Sequence, residues 1–464
     1  MAGIGFRIEK ILEGDTYIDS VKAHFYSSII FSGPWLVSIL TLFLISFFSV
    51  RNLHNQQIVI LRSLIIYIYA FSLIVTGILY LSASRYLADK LYQKDPEAFV
   101  PAFNSLSIMV MAIQSCLGWF FSGFLSVDTV TRFLAVMLYL TISMLWLVMI
   151  FLTALRDYEE ITRAFVAGSL VAVGASFFLG NYFGLKGYLC GYFIGHLLIV
   201  ILLCLRIFVE FASRRIFDRE IFNFLLNNKT LVATGLCYNL GIWIDKIVFW
   251  YSPQAYTVSS FLRTFPDYES ANFFAYLTII PAFSIFLIHV ETEFYKKYRL
   301  YYIAILEKGT YSDIRRAKAK MISTLKSSLL RIVLNQGLIS IFTVLFAERL
   351  IGVLGFSYVI IPIFRICVLG AFLNCLLLIA VLIILYFDFK DIALKVTFIF
   401  AVTNGLFSYA TSFMSLPYFG YGYAGAAFVS LVCAYYMLDY KINRLEYLTF
   451  GLQPLGVHRE EEIA

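Results

Sequence analysis

Charge is scarce in this sequence. Asp, Glu, Lys and Arg make up 14% of its 464 residues, where a soluble domain carries roughly 25%. A chain of this size with so little polar surface cannot keep itself in water, which excludes a soluble globular protein and leaves lipid as the solvent. Histidine is rarer still: the five (His24, His54, His196, His289, His458) are scattered, with no H-E-x-x-H and no facing pair. Neither a P-loop nor G-x-S-x-G occurs, so no metal, cofactor or hydrolytic nucleophile is expected. The seven cysteines all lie in apolar stretches. Without a C-x-x-C they read as small buried hydrophobes. No cleavable signal peptide is expected either. Residues 1–23 are polar, carry both signs of charge (Arg7, Glu9, Lys10, Glu13, Asp15, Asp19, Lys22), and precede a span too long for an h-region. Ile4, Ile8 and Ile11 recur at helical spacing there, so this leader reads as an amphipathic surface helix or as a capped lead-in to the first span.

What the chain has in abundance is apolar and aromatic side chain: 61% hydrophobic residues, 46 Phe and 32 Tyr, and a mean hydropathy of +0.83. A hydrocarbon core about 30 Å thick needs about 20 apolar residues at 1.5 Å rise. Twelve runs qualify, at 24–50, 59–82, 102–126, 131–153, 162–184, 187–208, 230–251, 268–290, 326–346, 362–387, 392–414 and 421–441. The fold class expected is an all-α polytopic membrane protein of two six-helix bundles. With the N-terminus placed inside, all but eight of the 36 lysines and arginines fall in inner segments. The exceptions are Arg51, Arg62, Arg132, Lys186, Lys246, Arg263, Arg349 and Arg365. By the positive-inside rule both ends are then cytoplasmic, in an inner-membrane-type bilayer. The net charge of +7 is therefore topology, and no nucleic-acid partner is implied.

The organisation expected is a leader (1–23), a first bundle (24–208), a cytoplasmic linker (209–229), a second bundle (230–443) and a cytoplasmic tail (444–464). The second bundle carries the most basic segment, 291–325. Around that segment Ile314, Met321, Leu325 and Leu329 form an apolar stripe flanked by Arg315, Arg316, Lys318, Lys320 and Lys326. It reads first as an interfacial helix on anionic membrane lipid, or else as a docking face for a cytoplasmic partner. The halves also echo one another. Gly33-Pro34-Trp35 in span one matches Gly241-Ile242-Trp243 in span seven. Tyr182-Phe183-Gly184 matches Tyr418-Phe419-Gly420 at the outer turns before spans six and twelve. Six is even, so such a repeat runs about an axis along the membrane normal.

Ionisable groups in lipid are costly and face a cavity or a partner. The densest candidate is Tyr238-Asn239-Leu240-Gly241-Ile242-Trp243-Ile244-Asp245-Lys246 in span seven. Asp245 and Lys246 diverge by about 100° on a helix, so each is expected to need its own partner or water. Either one is structurally paired with another helix while the other snorkels to the outer interface, or they line a hydrated path with Tyr238, Asn239, Trp243 and Trp35. Arg62 and Arg365 read as membrane-edge anchors or as cations of that path. Pro34 and Pro281 interrupt the ladders of spans one and eight and are candidate hinges. Glu291 and Glu293 at the inner end of span eight are unfavourable at a helix C-terminus and call for basic partners. With Arg315 and Arg316 they are partner or gate candidates. Arg263 to Glu269 reads mainly as N-capping around Pro266. Gly187, Gly191 and Gly195 on span six read as a close-packing stripe.

Met1-Ala2-Gly3-Ile4-Gly5-Phe6, Ser32-Gly33-Pro34-Trp35 and Asn239-Leu240-Gly241-Ile242-Trp243-Ile244-Asp245-Lys246 resemble motifs of one known family. So does Ala275-Tyr276-Leu277-Thr278-Ile279-Ile280-Pro281-Ala282, followed by Val290-Glu291-Thr292-Glu293-Phe294-Tyr295. The chain is similar to the PelG family of Pel exopolysaccharide systems, within the MOP (multidrug/oligosaccharidyl-lipid/polysaccharide) flippase superfamily. The acidic Glu460-Glu461-Glu462 departs from it. The resemblance implies two six-helix bundles around a central cavity with alternating access, and export of a hexosamine-rich polysaccharide. It also implies a cytoplasmic glycosyltransferase and membrane-anchored, cyclic-di-GMP-responsive regulatory subunits as partners. Two other readings stand beside transport of a polymer. An ion-coupled exporter of small molecules or lipid-linked sugars should carry a buried carboxylate in the first bundle, and spans one to six show no clear one. An enzyme or scaffold of polymer synthesis should carry a catalytic cluster or a recruiting surface, and only the latter, from Lys296 to Arg331, is present.

Overall fold

The computed structural model describes residues 37–451 apart from Ile39, Arg51, Arg156, Asp157, Ala212 and Ser260. The leader, Pro34, Trp35 and the tail from residue 452 lie outside the described residues, and so does most of the first predicted span. Its described part is a short apolar helix, α1 (Leu40–Ser49). Five long helices complete the first half: α2 (Asn55–Tyr92), α3 (Phe99–Ser122), α4 (Thr129–Leu155), α5 (Tyr158–Phe183) and α6 (Leu185–Glu210). A short helix α7 (Glu220–Asn227) lies in the connection to the second half. There follow α8 (Lys229–Trp250), a two-stranded ribbon of β1 (Tyr256–Thr257) and β2 (Arg263–Thr264), α9 (Pro266–Leu277), α10 (Ile280–Ile288) and α11 (Tyr295–Leu306). The chain then runs through α12 (Tyr311–Leu345), α13 (Ala347–Val353), α14 (Ile361–Tyr386), α15 (Lys390–Thr411) and α16 (Tyr421–Asn443). Eleven stretches of the described residues are helical, long and apolar enough to cross a membrane, and they coincide with predicted spans two to twelve.

The two halves repeat one packing pattern. In the first, α2 packs on α4, α4 on α3 and α6, and α6 on α5. In the second, α9 packs on α14, α14 on α12 and α16, and α16 on α15. Each pair is the same pair shifted by six spans. The turn echo is structural as well. Gly184 (φ 58°) is the N-cap residue of α6 and Gly420 (φ 98°) that of α16, a left-handed conformation glycine adopts without a Cβ penalty. The stripe Gly187, Gly191, Gly195 is where α6 meets α5. A Cβ at Gly187 or Gly191 would collide with the backbone of Leu179 or Ser176, and one at Gly195 with Ala172.

Span eight is not one helix. Pro281 has no N–H to give the ladder, and the helix is interrupted at Thr278–Ile279 before α10 begins. The Ala282 N–H, the i→i−4 donor to Thr278, turns to the Ile279 carbonyl at 3.1 Å. The Thr278 carbonyl accepts from Gln336 Nε2 of α12 at 2.9 Å, so a side chain from the next span heals the break. Beyond α10 a π-helical turn, His289–Phe294, leads into α11.

The basic segment corrects the lipid-surface reading. It is a helical hairpin: α11 turns at Lys308 (φ 56°) into α12, whose N-cap Thr310 accepts from the Asp313 amide. Ile314, Met321 and Leu325 are buried in the same core as Phe294, Tyr301, Leu438, Ile442 and Leu445. Leu329 packs against that core, half-buried. The apolar stripe finds its partner within the chain, on α11 and the end of α16, and is not a membrane-facing surface. Lys318 reaches the Asn443 carbonyl at 3.4 Å and Glu446 at 3.3 Å, while Arg315 and Arg316 are exposed. At this same basic end Lys90 of α2 binds Glu220 of α7 at 2.7 Å. That hydrogen bond and charge hold the Glu220 carboxyl below its usual range.

Candidate functional site in span seven and the seam between the halves

Helix α8 has two working faces. One meets α2 across the seam between the halves. A Cβ at Gly235 would run into the Gly77 carbonyl, and one at Gly77 into the Asn239 amide, so this approach requires both glycines. Asn239 lies on the seam and donates to the Gly235 carbonyl one turn back at 2.8 Å. Trp243 follows on the same stripe, packed with Leu64, Tyr67 and Phe71. Trp250 closes the stripe, its ring stacked on Tyr67 with centroids 4.1 Å apart. The Tyr67 hydroxyl then donates to the Arg263 carbonyl at 2.9 Å.

The other face points into the second half. Asp245, fully buried, accepts from Lys246 Nζ at 3.0 and 3.2 Å and from the Tyr268 hydroxyl at 2.5 Å. The expectation that each charge needs a separate partner is therefore corrected. The four-carbon lysine stem swings back along the helix, where Nζ also donates to the Ile242 carbonyl at 3.0 Å, and the divergence of the Cα–Cβ bonds is overcome. The ammonium lies 5.6 Å from the ring centres of Tyr276 and Tyr423 and 5.7 Å from that of Trp243, within cation–π range. Asn272 donates to Tyr268 at 3.2 Å, Tyr423 to Tyr276 at 2.9 Å, and Asn374 to Tyr276 at 3.4 Å. Trp243 Nε1, Asn272 Oδ1 and Asn374 Oδ1 are buried with no hydrogen-bond partner among the described residues. Tyr238 lies deeper in this half, near Phe400. This buried cluster thus sets one ion pair and spare amide and indole groups among aromatic faces.

The remaining predicted residues stand apart from it. Arg62 is exposed about two turns into α2, its Nε 3.3 Å from Ser46 Oγ. Arg365, in the first turns of α14, spans the Val344 carbonyl (3.3 Å) and Glu348 (3.0 Å). Glu291, 1% exposed, lies beside Tyr386. Glu293 pairs with His289 at 3.2 Å, and Arg331 approaches the same imidazole at 3.3 Å.

A polar network in the first half escaped sequence reasoning. His196 Nδ1 donates to the Tyr192 carbonyl at 2.9 Å, leaving Nε2 to accept from the Tyr69 hydroxyl at 2.9 Å. Trp146 donates to Ser72, Gln114 to Thr76, and Tyr139 to Gln114. The one available signal was a histidine inside an apolar span; its partners sit on other helices.

The chain matches the family described as "PelG: Putative exopolysaccharide Exporter (EPS-E)" over residues 1–450. It belongs to the PelG family. No curated protein matches it. Among solved structures, a MOP superfamily transporter from Pyrococcus furiosus aligns with a TM-score of 0.63 at 13% identity, covering 92% of this chain and 96% of that one. An outward-facing MATE family multidrug resistance transporter gives 0.63 at 14% identity over 92% and 96%. An inward-facing one gives 0.57 at 15% over 88% and 95%. At such identities the likeness is one of fold: this PelG-family chain has the twelve-helix, two-bundle architecture of MOP transporters. It is a multi-pass membrane transporter and not an enzyme.

Proposed function

We propose that this PelG-family chain carries a hexosamine-rich, Pel-type exopolysaccharide across the bacterial inner membrane, through a central cavity that opens along the α2–α8 seam. The observation that carries the reading is the family match over residues 1–450. The cluster supports it: polysaccharides are held by aromatic stacking and by hydrogen bonds from amide, hydroxyl and charged groups, the groups gathered around Asp245 and Lys246. Tyr238, Asn239, Trp243, Asp245, Lys246 and, from span one, Trp35 serve the pathway in this reading, with Arg62 and Arg365 at its margins. Pro34 and Pro281 act as hinges as the bundles rock about the 209–229 linker. Both termini lie in the cytoplasm. There a glycosyltransferase docks on exposed Arg315 and Arg316, near the Glu291–Glu293 turn, and cyclic-di-GMP-responsive membrane subunits regulate the complex.

The test is a strain whose only copy is Asp245→Asn/Lys246→Met. Removing both charges together avoids leaving one of them buried and unpaired. Polysaccharide is measured inside and outside the cell, and complex assembly by co-purification. Secretion is expected to fall to background with assembly intact; normal secretion would remove span seven from the pathway.

A further inference from the structure

We propose that an anionic membrane phospholipid binds in an apolar cleft of the first half, one acyl chain between α2, α3 and α4 and its phosphate on Arg132. The cleft lies at the end opposite the basic segments and is lined by Ile68 and Phe71 of α2, Leu117 and Phe121 of α3, and Val136 of α4. Phe261 and Leu262, from the ribbon of the second half, complete its wall. Phe121 stacks on Phe71 (6.5 Å) and on Phe261 (6.3 Å), so aromatic faces from both halves meet across it.

The lining excludes a sugar. Its three hydroxyls are engaged within the chain: Tyr67 with the Arg263 carbonyl, Tyr139 with Gln114, and Ser122 with the Trp119 carbonyl. A saccharide's own hydroxyls would be desolvated there without partners, at a cost of about 1–3 kcal/mol each. A hydrocarbon chain has no such cost, and it is the material that surrounds the protein.

The headgroup end is set by charge. Arg132 lies one turn before the lining residues Ala135 and Val136, and its Nη2 donates to the carbonyl of Leu125, another wall residue, at 3.0 Å. Its Nε is buried with no hydrogen-bond partner among the described residues. Of the other cations nearby, Lys186 is held by Asp128 at 3.0 Å, and the Arg263 guanidinium lies over the Tyr251 ring, 5.5 Å from its centre. A half-buried guanidinium with a donor to spare, at the margin of a hydrocarbon-lined cleft, matches a phosphodiester on an acyl chain. Because Phe261 and Leu262 belong to the other half, a bound chain bridges the halves beside the seam.

The test is native mass spectrometry of the full chain, delipidated in detergent and titrated with phosphatidylglycerol, diacylglycerol or inorganic phosphate. Wild type is expected to retain one phosphatidylglycerol. Leu117→Trp, which fills the cleft, should weaken retention about tenfold. Arg132→Gln should weaken phosphatidylglycerol by a similar factor and leave diacylglycerol unchanged. Equal retention by wild type and both variants would mean annular lipid and overturn the site. Loss on Leu117→Trp alone would overturn the phosphate contact. Displacement of phosphatidylglycerol by inorganic phosphate, dependent on Arg132, would make a free anion the ligand and overturn the lipid.

Discussion

At the scale of single residues, the second half holds two features whose energies are set by opposite causes. The Asp245–Lys246 pair is stable only because each charge is compensated: desolvating a carboxylate and an ammonium costs several kcal/mol apiece, and their contact, the Tyr268 hydroxyl and the Ile242 carbonyl offset it. Gly420 is held by backbone geometry instead. At φ 98° it lies in the region where an L side chain is strained, and an added Cβ would stand 2.7 Å from Ile366 Cγ2 and 3.1 Å from Cys367 Sγ. Gly420→Ala should therefore destabilise the chain by about 1–3 kcal/mol, read as a lower thermal midpoint in detergent. Gly174→Ala, where a Cβ meets open space, should leave that midpoint nearly unchanged; equal effects would show that the turn is not strained. Chemistry at this scale was legible in type but not in pairing. Span seven stood out because charge in lipid is rare, yet nothing in its own nine residues announced Tyr268, Asn272, Tyr276, Asn374 and Tyr423. These belong to three other helices, and helical spacing alone sent the two charges apart.

Elements were legible in proportion to how strictly lipid constrains them. Spans two to twelve followed from length and hydropathy, because every backbone group in the hydrocarbon must be satisfied within its own helix. The parts beyond the bilayer, free of that constraint, were read less well. The stripe of Ile314, Met321 and Leu325 has the pattern of a lipid-facing helix, but pattern does not say what covers it, and α11 does. The break in span eight was legible as Pro281, while its repair was not. Gln336 lies 55 residues on, in an unremarkable stretch of α12, and its amide is what satisfies Thr278. Gln336→Leu keeps the bulk and removes the donor, leaving a buried carbonyl without its partner. It is expected to lower stability by about 1–3 kcal/mol. The double variant Gln336→Leu/Pro281→Ala should recover part of this, since alanine restores an N–H that Thr278 can accept in the i→i−3 pattern of this turn. Thermal unfolding of the three proteins checks it: no recovery would mean that the interruption at Thr278–Ile279 is imposed by packing and not by proline.

At the scale of the molecule, the repeated packing order and the paired glycine caps at Gly184 and Gly420 make the halves two copies of one bundle joined by an even number of spans. An even count forces the turns before α6 and α16 onto the same side of the membrane. By the positive-inside rule, the lysines and arginines gathered at the other end predict that this side is the outer one. Surface labelling separates the two statements. In a chain with its exposed cysteine, Cys116, replaced by serine, single cysteines are placed at Tyr182 and Tyr418 beside the glycine turns and at Tyr311 in the basic hairpin. All three positions are exposed, at 72%, 52% and 66%. A membrane-impermeant maleimide applied to intact spheroplasts should label the first two and not the third, which should react only after permeabilisation. If Tyr182→Cys and Tyr418→Cys react from opposite sides, the parallel repeat fails. If both are hidden while Tyr311→Cys reacts, the repeat stands but the orientation is reversed. The basic hairpin would then face away from any cytoplasmic synthase, and export would have to start from the other end of the seam.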